Sequence, residues 1–402
     1  MKYYNGNDAL VIKSWCNNPE DSALDQAKNL AKLPFAYGSI CLMPDTHAGY
    51  GMPIGGVLAT KDVVIPNAVG VDVGCGMCVA KTNLHDLSTD TIKRIVGEIR
   101  KVVPLGFNHH KEPQPKSLMP EGDLYYQEYY NNYFDKMFIC ERNHDKARES
   151  LGTLGGGNHF IEIQKDSRGI VWIMIHSGSR NLGKQVADHY NRLAIELNES
   201  YYSNVPKEWQ LAFLPINFEE GEKYIQEMDY CVKYAKANRK LMMTRIMQCF
   251  VDIIPDCLFS SIDGNTVLDV VHNYARMENH FGHNLMVHRK GATSARKDEY
   301  GIIPGSQGTA SYIVKGLGNP DSFMSCSHGA GRKMGRKEAK RTLNLDSEKK
   351  KLDDLGIVHG IRSVDDLEEA CSAYKDIDVV MEEQKDLVEI VERLKPLGLI
   401  KG

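Results

Sequence analysis

The stretch that most restricts this chain is Asn67 to Cys78, NAVGVDVGCGMC, because its glycines demand a sharp bend between runs that read as strands, Val57 to Thr60 before it and Met77 to Lys81 after it. Asp72 and Cys75 stand three residues apart with Gly70, Gly74 and Gly76 around them. A glycine-permitted turn can therefore aim a carboxylate and a thiolate at one point. A hard oxygen beside a soft sulfur suits a borderline divalent ion such as manganese, zinc, iron or cobalt. Calcium and magnesium take oxygen ligands. The competing reading is a plain tight turn with Cys75 packed as a small hydrophobe.

A chain of 402 residues exceeds one small core and predicts either one large α/β body or two closely joined domains. The lack of an internal repeat or low-complexity linker favours one compact unit spanning residues 1–402. No apolar run approaches the ~20 residues of a membrane span. The N-terminus, MKYYNGNDALVIKSW, lacks the unbroken apolar core of a signal peptide, so a cytoplasmic location is the expectation. Ten scattered cysteines are too sparse for a disulfide scaffold and are expected to stay reduced. Cys75 and Cys78 form a CxxC without a second pair at zinc-ribbon spacing, which places Cys78 on a strand. A net charge of −4 provides no global attraction to nucleic acid, leaving that role to local basic patches. Two stand out, Lys233 to Arg245 and Arg332 to Lys351, and each reads either as a solvated helix face or as a contact for a phosphate backbone.

Apolar spacing predicts helices over 19–33, 87–103, 182–197 and 378–394, and a long helical region over 219–254 that could be broken in two. Strands are predicted over 160–164, 170–175, 267–271 and 285–287, with a short apolar run over 39–43. Between 106 and 138 lie His109, His110 and the tyrosines 125, 126, 129, 130 and 133. This region is expected to be a peripheral insertion or lid, its tyrosine stripe packed on the body or stacked on bases.

His176, His272, His288 and His328 end apolar runs at the start of loops, and His159 precedes one. Loops held by sheet ends are where α/β folds collect ligand groups. With Asp72 and Cys75 these histidines offer more donors than one tetrahedral ion takes, which suggests two metals, or a metal plus a nucleophilic histidine. Glycine-rich loops at 152–162, 303–311 and 325–332 can let backbone approach a phosphate. Arg289 and Lys290, beside His288, suggest phosphate contact. None of these loops is a Walker or Rossmann fingerprint.

Taken together, MPDTHAGYGMPIGG, NAVGVDVGCGM, LGTLGGGNHFIE, HSGSRNLG, VHNYARMENHFG, VHRKGATSA, IPGSQGTASY, SHGAGR, SAYKDID and a terminal Lys-Gly resemble the RtcB family of RNA-splicing ligases over nearly the whole chain, in family order. The resemblance implies the family's own α/β fold, mixed sheets with helices around a central metal and nucleotide cleft. It implies joining of an RNA 3′-phosphate or 2′,3′-cyclic phosphate to a 5′-hydroxyl, with GTP as cosubstrate and two manganese ions. At matching positions it makes Asp72, Cys75 and His159 the ligands of one ion and Cys75, His176 and His272 those of the other. It makes His328 the nucleophile that takes the guanylate. The guanylate would be held by Asn158, His159, Phe160, Ile161, Glu162, His272, Asn273, Pro304, Gly305, Ser306, Gln307, Ser311, His328, Gly329, Ala330, Gly331 and Lys401. An archease-type activator is a partner some family members use. HSGSRNLG and the tyrosine-rich region depart from the commonest family forms, which bears on the choice of RNA end. Two other classes stay open at this point: a guanylyltransferase that caps 3′-phosphate ends without joining, and a non-catalytic RNA-binding or metal-sensing protein.

Overall fold

The computed structural model describes residues 1–5, 9–122 and 137–402. The tyrosine stripe at 125–133 lies outside the described residues. The body is built on two sheets. The first runs, in spatial order, Lys2–Tyr4, Val11–Ser14, Ala36–His47, Ile54–Thr60, His283–Lys290 and Asn273–His280. Its only parallel pair joins Val11–Ser14 to Ala36–His47, the crossover being made by the helix Asp21–Ala31. The second sheet runs Phe259–Ser260, Gly76–His85, Ile170–Ser177, Phe160–Lys165, Val388–Lys401, Ser311–Gly316 and Tyr300–Ile303, with Val267–Val271 also paired to Gly76–His85. All of its pairings are antiparallel.

The helix Thr89–Val102 starts where the Ser88 hydroxyl accepts the Thr91 N–H, and buries Ile92, Ile95, Val96 and Ile99. These pack with Ile161, Ile163, Ile173 and Ile175 of the second sheet in one apolar cluster. At about 25 cal/mol per Å² of apolar surface removed from water, such a stripe drives docking far more than helix propensity does. The possible break in the long helical region is absent: Glu219–Ile253 is one helix of 35 residues. Beyond Gly221 its sequence holds neither glycine nor proline, so nothing interrupts the hydrogen-bond ladder. Its C-terminal half, with Met242, Met243, Ile246 and Phe250, covers the second sheet. Its N-terminal half packs on the helix Arg180–Ser200 through Tyr190, Tyr224 and Tyr234.

The expectation of a helix over 378–394 is wrong for most of its length. A short helix, Ile377–Glu383, is capped by the Asp376 carboxylate and ends before the strand Val388–Lys401, which lies inside the second sheet. Val388, Ile390 and Val391 are β-branched and favour a pleated surface. Pro396, which cannot donate a ladder hydrogen bond, sits where the register shifts beside Phe160–Lys165. The tail therefore continues the sheet and sets Lys401 opposite Phe160. The basic stretch 332–351 divides into two short helices, Arg336–Thr342 and Leu345–Asp354. None of the ten cysteines is disulfide-bonded among the described residues, and Cys78 is a buried strand residue. No described helix is long and apolar enough to cross a membrane.

Register now decides where the chemistry falls. Gly76 pairs with both Ser177 and Val271, and Phe160 pairs with His176. Cys75, His272, His159 and His176 therefore all stand at one end of the second sheet.

Candidate active site

The turn before Gly76–His85 works as its glycines require: any Cβ on Gly76 would strike the Val270 carbonyl, so only glycine lets the neighbouring strand come this close. Cys75 Sγ lies 3.4 Å from His159 Nε2 and 3.3 Å from His176 Nε2. His176 Nε2 is 3.3 Å from His272 Nε2, and His159 Nε2 is 3.3 Å from Asp72 Oδ2. Two groups result, Asp72–Cys75–His159 and Cys75–His176–His272, the ligand atoms within each lying no more than 4.8 Å apart, and Cys75 belongs to both. His176 donates its Nδ1 proton to the Asn158 carbonyl at 3.1 Å, which leaves the Nε2 lone pair aimed at the cluster.

The donor set fits a cation. Burial, and then the neighbouring imidazoles, push His176 and His272 well below the usual histidine range, so both are neutral donors. Burial, and then Asp72, push the Cys75 thiol well up. A thiolate here needs a positive charge beside it, which a bound divalent ion provides.

His328 stands next to this cluster, its ring edge-on to His272 at 4.8 Å between centroids. Its Nδ1 lies 2.6 Å from Oδ2 of Asp45, a wholly buried carboxylate on the strand Ala36–His47. The same oxygen accepts the backbone N–H groups of His328 and Gly329 at 3.1 and 3.3 Å. With Nδ1 engaged, Nε2 is the nitrogen left free to react.

Both groups open into one cleft of about 830 Å³ between the two sheets. Phe160, Glu162, Leu399 and Lys401 of the second sheet line it, together with Pro304 to Gln307 and Gly329 to Gly331. Burial raises the Glu162 carboxyl to about 7, against the Gln164 hydrogen bond and the charge of Lys401. Burial likewise lowers Lys401, opposed by Glu369 and Glu162. Both polar atoms of the buried Gln307 amide lack a hydrogen-bond partner among the described residues, as does Asp45 Oδ1. Such groups are ready to bind a polar ligand.

The family model described as tRNA-splicing ligase RtcB matches residues 26–402. The chain belongs to the RtcB family. It is 35% identical over 409 residues to the RNA-splicing ligase RtcB of Escherichia coli K12, with 97% of each chain covered. The tRNA-splicing ligase RtcB of Nanoarchaeum equitans is 33% identical, covering 95% of this chain and 92% of its own. RNA-splicing ligase RtcB homolog 1 of Entamoeba dispar is 34% identical, covering 98% and 84%.

Within this RtcB fold most of the residues singled out from the sequence meet at the cleft: Asp72, Cys75, Asn158, His159, Phe160, Glu162, His176, His272, Asn273, Pro304 to Gln307, His328 to Gly331 and Lys401 all line it. Four expectations land elsewhere. Ile161 points the opposite way from its strand neighbours and is buried in the core under Thr89–Val102. Ser311 lies behind the cleft lining, its hydroxyl bonded to Gln164 and to the Gly305 N–H. His288 is wholly buried and turned into the first sheet, where Nε2 accepts the Ile65 N–H at 3.0 Å. Arg289, expected to meet phosphate, is instead ion-paired to Glu278 in the interior, whereas Lys290 does line the cleft. Arg336, Glu369 and Tyr374 also line the cleft; Arg336 was singled out only within the basic stretch 332–351, and sequence reading gave no role to Asp45, Glu369 or Tyr374. Asp45 had one signal, a carboxylate in a glycine-dense polar segment closing an apolar run, but its partner is 283 residues away.

Proposed function

We propose that the chain is a GTP-dependent RNA ligase that joins a 3′-phosphate or 2′,3′-cyclic phosphate end to a 5′-hydroxyl end, with manganese as its metal. One observation carries this reading: two groups of candidate ligands sharing Cys75 lie beside a cleft-lining histidine whose Nδ1 is tied to a buried aspartate. Asp72, Cys75 and His159 would hold one ion, and Cys75, His176 and His272 the other. Bound there, manganese supplies positive charge that neutralises phosphate oxygens as a phosphoryl group moves.

The chain's own residues do the rest. Asp45 accepts the hydrogen bond from the Nδ1 proton and fixes the His328 tautomer, so Nε2 presents its lone pair and the charge gained on guanylylation is balanced. Nε2 attacks the α-phosphorus of GTP, the new P–N bond forms and pyrophosphate leaves. A 2′,3′-cyclic end is first opened by water to a 3′-phosphate; an oxygen of the 3′-phosphate then attacks the guanylate phosphorus, the P–N bond to His328 breaks and the guanylate passes to the RNA. Attack of the 5′-hydroxyl on that 3′-phosphorus releases GMP and closes the strand. Glu162, when ionised, presents two acceptor oxygens, which match the two N–H donors on guanine's pairing edge. Gln307 and Lys401 line the same wall.

The test uses two RNA halves, one ending in a labelled 3′-phosphate and one beginning with a 5′-hydroxyl, incubated with GTP and manganese. The label should become phosphatase-resistant inside a joined product. Joining only of 3′-hydroxyl to 5′-phosphate ends would overturn the reading. Accumulation of 3′-guanylylated RNA without joined product would make the chain a capping enzyme.

A further inference from the structure

If the second-sheet wall takes the guanylate, the facing wall is left for RNA. That wall, from the first sheet, carries Tyr50, in the loop between the strands Ala36–His47 and Ile54–Thr60. Tyr50 is 69% exposed. The backbone beneath it is tied down on every side. Gly49 exchanges hydrogen bonds with the Gln26 side chain, its N–H donating at 3.1 Å and its carbonyl accepting at 2.5 Å. The Tyr50 carbonyl accepts from Met52 N–H at 2.7 Å and from Lys290 Nζ at 2.6 Å. Gly51 has a φ of +66°, and a Cβ there would lie 2.5 Å from the Gln210 carbonyl. The loop is thus fixed while the ring it presents is bare. Among the described residues the ring has no aromatic neighbour and the hydroxyl no hydrogen bond. Packing does not account for a rigidly mounted, unpacked tyrosine, and it lines the cleft together with Lys290.

We infer that Tyr50 is a positioning residue that stacks on a nucleobase at one of the RNA ends brought for joining. The inference rests on the ligase reading. Stacking is sequence-tolerant, since every base has a π-face, so Tyr50 would hold an RNA end without restricting its sequence. It also gives the cleft a preference for a base-bearing strand over an isolated sugar phosphate.

The test measures RNA binding by fluorescence anisotropy for wild type, Tyr50→Ala and Tyr50→Phe, using ends that carry a base or an abasic residue at each terminus in turn. Tyr50→Ala should weaken binding of base-bearing RNA by about tenfold, within the range expected for loss of one stacked base. Tyr50→Phe should bind like wild type. An abasic residue at the stacked terminus should weaken wild type by a similar factor and Tyr50→Ala not at all, and the terminus at which this happens names the end held. Equal binding by Tyr50→Ala and wild type would overturn the inference, as would losses from variant and abasic substrate that multiply. The ligase reading is tested separately in the same preparations: a wild type that binds RNA but takes no label from GTP fails that reading, whereas a wild type that ligates with Tyr50→Ala binding unchanged fails only the stacking role.

Discussion

Asp45 illustrates how a residue far away in the chain sets the chemistry of another. Its carboxylate binds the Nδ1 side of His328 and two backbone N–H groups with a single oxygen, so the imidazole has one orientation and one useful tautomer. Asp45→Asn keeps an acceptor for the backbone but can offer its NH₂ to Nδ1 and favour the wrong tautomer. Guanylylation of the protein, followed by transfer of label from GTP, should fall by about 10²- to 10⁴-fold with the fold intact by circular dichroism. An unchanged rate would remove Asp45 from the mechanism. The clustered residues that could hold a metal were legible because each lies within a short motif: Asp72 and Cys75 share one turn, and His159, His176 and His272 each stand at an end of an apolar run. The Asp45–His328 pair was not, because its spacing exists only in three dimensions. The side chains of Ile161 and Ser311 stand off the cleft for a simpler reason: a motif names neighbours in sequence, and a strand sends alternate neighbours to opposite faces.

The strand Val388–Lys401 shows the limit of periodicity as a signal. Val380, Leu387, Val388 and Leu394 are compatible with helical spacing, yet the segment is a strand between Phe160–Lys165 and Ser311–Gly316. Both partners are distant in sequence, so tertiary pairing overrides a pattern that is ambiguous locally. Its placement has a functional consequence, since the same strand sets Lys401 in the cleft. Leu394 is wholly buried in the cluster with Ile302, Ile313 and Leu399. Leu394→Ala should destabilise the protein by about 2–5 kcal/mol in a denaturant melt. It should also weaken nucleotide binding more than an equally destabilising substitution in the first sheet, because it loosens the strand that carries Lys401. Equal nucleotide affinity in the two variants would separate the strand's packing from the site.

The molecule as a whole places one cleft between two sheets, and the first sheet is locked by a buried charge network. Glu278 on Asn273–His280 pairs with the wholly buried Arg289 on His283–Lys290 and with Arg296. Burial alone would raise its pKa, but the hydrogen bonds and charge of Arg289 outweigh it and hold the carboxyl at about 2. A folded pKa below the unfolded one near 4.5 means that the pair stabilises fully above pH 4.5 and loses that contribution between about 4.5 and 2. The contribution is on the order of 3 kcal/mol. Glu278→Gln should cost about 3–5 kcal/mol at neutral pH by leaving Arg289 buried without its partner, and should flatten this part of the stability profile in melts between pH 5 and 3. An unaltered acid limb would contradict the assignment. A single α/β body was legible from length and the lack of a linker, whereas the division into two sheets was not, since the strands Asn273–His280 and Val267–Val271 follow each other in sequence but join different sheets.

The proposed reaction turns on His328 as the nucleophile that takes the guanylate. Purified protein incubated with α-labelled GTP and manganese, then run on a denaturing gel, reports this directly. Wild type should carry label that survives detergent and is released by acid, as a phosphorus–nitrogen bond is, while His328→Ala, folded and still binding manganese, should carry none. Label that persists in His328→Ala would contradict the account.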